Sequence, residues 1–132
     1  MAATDKLKPS SLVSGNCFGI FAPASPVRSE FVERGRRWLR EAGFGSRVGQ
    51  HLFRRRYHVA GSLEERRADF ENLLTDDRVR ALVAARGGYG CLPLLERIDY
   101  GLVSRHPKAV NRSTPAWSFL TTFTCTIPTI FR

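Results

Sequence analysis

The residues of this chain best suited to chemistry lie in one short run, Gly87-Gly88-Tyr89-Gly90-Cys91. Glycine has no Cβ, so backbone N–H groups there can approach a ligand closely. Adjacent N–H groups at the end of a strand suit a developing negative charge, as half of an oxyanion hole. That role needs a nucleophile from a neighbouring strand end, which in βαβ order falls just after Lys108. Cys91 is itself a possible nucleophile, because it stands at a helix start, where backbone dipoles lower a thiol's pKa. A nucleophile also needs a base beside it. None is identifiable for Cys91, which reads instead as a small half-buried residue. A dinucleotide site would require G-x-G-x-x-G, but Gly88-Tyr89-Gly90 runs into Cys91-Leu92-Pro93 and the third glycine is missing. A phosphate-binding G-K-[ST] is also lacking, which excludes a P-loop.

The elements that would hold this loop are legible on both sides of it. Leu82 to Ala85 presents no polar face, which suits a parallel strand covered on both sides. In open α/β sheets ligands sit beyond the carboxyl ends of the strands, where the glycines would lie. Cys17 to Ala22, ended by Pro23, is a first central strand, and Pro23-Ala24-Ser25-Pro26 a rigid loop at the same end. Ser29 is placed to N-cap a helix whose Phe31, Gly35, Trp38, Leu39 and Ala42 share one face. Trp38 is expected to anchor that helix on the sheet. Glu33 and Arg37 are spaced for an i,i+4 pair, and Gly43 supplies the stop.

Further on, Arg47-Val48 suggests a short strand, and His51 and His58 flank Arg54-Arg55-Arg56 as exposed loop residues. Ser62-Leu63-Glu64-Glu65 is a capping box opening a helix with Leu63, Phe70, Leu73 and Leu74 on one face. Thr75-Asp76-Asp77 turns the chain into the central strand. After the glycines, Cys91 to Arg97 forms a short helix with Pro93 near its start. A further helical turn spans Ile98 to Val103, and His106-Pro107-Lys108 leads into the next parallel strand. The alternation implies an α/β fold with a mainly parallel sheet.

The totals bound the possibilities. At 132 residues there is room for one domain with a real core. Hydrophobic content of 42% with 25% charged residues is that of a soluble globular chain. No apolar run approaches the ~20 residues of a membrane span, and Met1 to Ser14 lacks a secretory core, so a cytoplasmic home is expected. Cys17, Cys91 and Cys125 are widely spaced with no CxxC pair, which argues against disulfides and against a zinc site. The net charge of +9 raises a nucleic-acid surface as a rival reading. The arginines, however, are spread over helix faces and loops, as solvated charge is. A ligand-binding α/β module without catalysis is the other rival.

Three segments emerge: a flexible lead-in over 1–16, a domain over 17–108, and a divergent, poorly ordered tail over 109–132. The tail contains no acidic residue from Ser113 to Arg132 and shows no period. Its abrupt composition suggests a reading-frame change or a misplaced exon end.

Several stretches resemble the LD-carboxypeptidase family of serine peptidases, which includes muramoyltetrapeptide carboxypeptidases and microcin-immunity peptidases. Gly19-Ile20-Phe21-Ala22-Pro23-Ala24-Ser25-Pro26 is similar to the family's opening strand and loop. Ala60-Gly61-Ser62, Glu64-Glu65-Arg66 and Asp69-Phe70 resemble its segment before the second helix. Arg86-Gly87-Gly88-Tyr89-Gly90, Leu94-Leu95, Ile98-Asp99-Tyr100 and Pro107-Lys108 match its most distinctive stretch in spacing.

The resemblance implies the flavodoxin-like N-terminal domain of a two-domain peptidase, truncated here, whose full-length members are often homodimers. It implies cleavage of the L,D-peptide bond of murein tetrapeptides in cell-wall recycling by a Ser-Glu-His triad, with no metal or cofactor. Gly87, Gly88 and Tyr89 would then be oxyanion and substrate-binding residues. The family's nucleophile follows Pro-Lys in a G-[YF]-S-D turn, whereas this chain reads Ala109-Val110-Asn111-Arg112-Ser113-Thr114-Pro115. Ser113 is the nearest candidate, but Thr114 and Pro115 follow it, and the triad's Glu and His come from a C-terminal domain. The expectation is therefore a chain inactive by itself.

Overall fold

A computed structural model describes residues 11–86 and 90–110. The elements run β1 (Cys17–Phe21), α1 (Ser29–Glu41), β2 (Gly45–Val48), α2 (Leu63–Thr75), β3 (Val79–Ala84), α3 (Cys91–Arg97), α4 (Tyr100–Arg105) and β4 (Ala109–Val110). The strands form one parallel sheet in the order β2-β1-β3-β4. This is the flavodoxin-like arrangement, and strand order reverses between β1 and β3, the position where such sheets place their ligands.

Strand side chains alternate between faces, and each face meets its own set of helices. Phe18 and Ile20 of β1 cluster with Val32 and Leu39 of α1 and with Leu52, Ala81 and Ala109. Phe21 faces the opposite way, towards Phe70, Leu73 and Leu74 of α2, Leu94 and Leu95 of α3 and Val103 of α4. The rings of Phe21 and Phe70 lie 5.5 Å apart. The capping box forms as read from the sequence: Ser62 Oγ accepts from the Glu65 N–H, and the Glu65 carboxylate accepts from the Ser62 N–H. Gly43, at φ +91, ends α1 in the left-handed region that a side chain would resist.

Lys108 is buried just ahead of β4. Its Nζ donates to the carbonyls of Leu73 at 3.2 Å and Asp76 at 2.6 Å, which the end of α2 leaves without helical partners. Burial pushes its ammonium pKa down, against the pull of Asp76 and Asp77.

Helix α1 departs from the reading of its sequence in three ways. Arg28 is its N-cap and Ser29 its first helical residue, with no side-chain cap. Glu33 pairs with Arg36, at 3.1 Å, rather than with Arg37. Val32 and Leu39 are the buried residues, whereas Phe31 and Trp38 are 60% and 56% exposed and Gly35 is exposed beside them. Trp38 is therefore not the anchor on the sheet. The helix carries two neighbouring apolar stripes, and the one that meets β1 is Val32/Leu39. The other stripe overhangs Val83, Ala84 and Ala85, where no described helix covers the sheet.

Candidate functional site

The carboxyl ends of β1 and β3 lie side by side. The Ala85 N–H donates to the Phe21 carbonyl at 2.8 Å, so the loops leaving the two strands start from adjacent points. Next to them the Ala60 N–H donates to the Ala24 carbonyl at 2.7 Å, and the Gly49 N–H to the Ile20 carbonyl at 2.8 Å. The loop after β1, the loop before α2 and both ends of the glycine run, Arg86 and Gly90, thus converge on one edge of the sheet. Gly87, Gly88, Tyr89 and Ser113 lie outside the described residues.

Arg66, from the first turns of α2, reaches into this edge and is buried. Its Nη1 donates to the Pro23 carbonyl at 2.8 Å and to the Gly90 carbonyl at 2.9 Å. Burial lowers its pKa, with the Cys91 thiol acting in the opposite direction. Cys91 opens α3 and is fully buried rather than half-buried. With no solvent-exposed surface it cannot meet a substrate from outside.

His51 is not the exposed loop residue expected. Its Nδ1 lies 2.8 Å from the buried Asp69 carboxylate, which also accepts the His51 backbone N–H at 2.9 Å. Gly49 makes room for that carboxylate, since a Cβ there would lie 2.5 Å from Asp69 Oδ2. The Glu65 carboxylate stands 3.8 Å from His51 Nε2 and 3.5 Å from Arg54. His58 is exposed, as read. Among the described residues no group of three or more His, Cys, Asp or Glu is placed to hold a metal ion. No described helix is long and apolar enough to cross a membrane.

Sequence spacing alone does not mark Arg66, Asp69 and His51 for a place at this edge. A signal of burial was available: Arg66 and Asp69 fall at helical spacing on the same stripe as Leu63, Phe70 and Leu73, where a charged residue needs a buried partner. A second concavity, about 540 Å3, lies between α1 and β3, lined by Val27, Phe31, Trp38, Val83 and Ala85 among others.

Residues 18–111 match the family profile described as LD-carboxypeptidase N-terminal domain. The chain is 35% identical over 101 residues to a probable murein peptide carboxypeptidase of Bacillus subtilis, covering 76% of this chain and 32% of that protein. It is 34% identical over 82 residues to the murein tetrapeptide carboxypeptidase of Pseudomonas aeruginosa, covering 62% and 27% respectively. The chain thus spans about a third of the length of these relatives. Among solved structures, the microcin C7 self-immunity protein MccF in complex with aspartyl sulfamoyl adenosine superposes with a TM-score of 0.80 at 22% identity. That superposition covers 89% of this chain and 36% of MccF, and it bears on the fold alone. With all of β1 but Cys17, the glycine run and Pro107-Lys108 inside the matched region, the chain belongs to the LD-carboxypeptidase family and carries its N-terminal domain.

Proposed function

We propose that this chain supplies the substrate-facing loops of a serine LD-carboxypeptidase acting on the L,D-peptide bond of murein tetrapeptides. The backbone N–H groups of Gly87 and Gly88 would receive the developing oxyanion, and Tyr89 would line the peptide. What supports this best is the convergence of three loops at the β1/β3 reversal, where the Phe21 carbonyl and the Ala85 N–H are joined. A cytoplasmic location and homodimeric full-length relatives accompany the reading.

The 132-residue chain is expected to release no D-alanine by itself. After Pro107-Lys108 it contains no G-[YF]-S-D turn, and Ser113 is followed by Thr114 and Pro115. Loss of a nucleophile's activating partners removes many orders of magnitude in rate. The check is incubation with a murein tetrapeptide, following free D-alanine enzymatically and peptide binding by calorimetry. Saturable binding without release is the expected result. Release above the blank would overturn the inactivity, and absence of binding would overturn the substrate assignment.

A further inference from the structure

Arg66 is a cation with 6% of its surface exposed, and neither an oxyanion hole nor a triad requires it. Its three acceptors are all backbone carbonyls: Pro23 at 2.8 Å, Gly90 at 2.9 Å and, from Nε, Ser62 at 3.4 Å. They belong to the loop after β1, the last glycine of the run after β3, and the N-cap of α2. A guanidinium presents its donors in a rigid planar fork, so bonding several carbonyls fixes their relative positions. Segments distant in sequence, Pro23 and Gly90, are thereby held on one nitrogen.

We infer that Arg66 is a positioning residue for the glycine run: by joining Gly90 to Pro23 it fixes the carboxyl-terminal end of that run against the loop after β1. A side chain at Gly90 would meet the same guanidinium. A Cβ there would lie 2.8 Å from Arg66 Nη1 and 3.3 Å from Ala24 Cα, and would wedge the guanidinium away. The inference rests on the reading of the glycine loop as substrate-facing, and its test separates the two.

Backbone amide exchange is measured on the full chain and on Arg66→Met, Arg66→Lys and Gly90→Ala. Arg66→Met should accelerate exchange over residues 86–92 by about tenfold, while Ile20 and Leu82 stay within about twofold. Arg66→Lys keeps a donor head and should recover part of the protection, which a role in packing alone would not produce. Gly90→Ala should reproduce the loop effect with Arg66 still present. Equal acceleration in loop and strands, or none in the loop, overturns the inference. Arg66→Met should also weaken murein tetrapeptide binding by about tenfold, through lost preorganisation. If the unaltered chain binds no tetrapeptide, the substrate reading fails and the exchange data alone decide the role of Arg66.

Discussion

The Glu65 carboxylate shows how one residue links local structure to pH. The Ser62 backbone N–H holds its pKa below the ordinary value, with the Ser62 hydroxyl bond and the Arg54 charge acting in the same direction. The unfolded chain therefore binds the proton more readily than the folded one. The resulting stability is present above the unfolded value of about 4.3 and is lost as pH falls through the lower folded value. Asp76, held down chiefly by its side-chain bond from Arg78, acts with the same sign. The urea midpoint should drop between about pH 5 and pH 3, and Glu65→Gln should flatten that fall without abolishing it. An unchanged slope in Glu65→Gln would show that the box does not contribute to it. Ser62 and Glu65 are three residues apart, so this feature is legible from sequence. The His51–Asp69 contact spans 18 residues and is not.

At the scale of elements, the close approach of α2 to the sheet depends on Gly19 in β1. A Cβ there would lie 2.9 Å from Leu82 Cδ2, 3.0 Å from Val79 Cγ1 and 3.3 Å from Leu73 Cβ. Gly19 is paired in register with Leu82, so the Leu82 and Val79 side chains would have to turn aside within the packed core. Gly19→Val should cost about 1–3 kcal/mol through overpacking, more than the removal of a strand glycine returns. Urea unfolding measures this, and a neutral result would mean that β3 and α2 yield freely. The same element was readable in sequence only as a short apolar strand. Its need for a hydrogen in place of a methyl group comes from α2 and β3 together.

At the scale of the whole molecule, the two faces of the sheet are covered unequally among the described residues. Helices α2, α3 and α4 pack on one, and α1 covers part of the other, leaving Phe31 and Trp38 over the edge of β3. An exposed apolar concavity of this kind is expected to take up apolar probes. A dye that brightens in apolar surroundings should bind the folded chain. The double variant Phe31→Ser/Trp38→Ser should reduce that signal by roughly threefold, with folding stability changed by only about 0.5 kcal/mol. An undiminished signal would place the dye elsewhere.

What could be read from the residue order is what neighbours within a few positions dictate. The β/α alternation, the Ser62–Glu65 box, the Gly43 stop and the family's spaced stretches are of this kind, and together they specify a parallel flavodoxin-like sheet. Which stripe of α1 turns inward, why Arg66 and Lys108 are buried cations, and why Gly19 and Gly49 leave little room for a side chain could not be read in that way. Those outcomes depend on what packs from distant parts of the chain. Hydrophobic periodicity marks a face as apolar but does not say whether anything covers it. A buried charge is stable only beside partners that folding delivers.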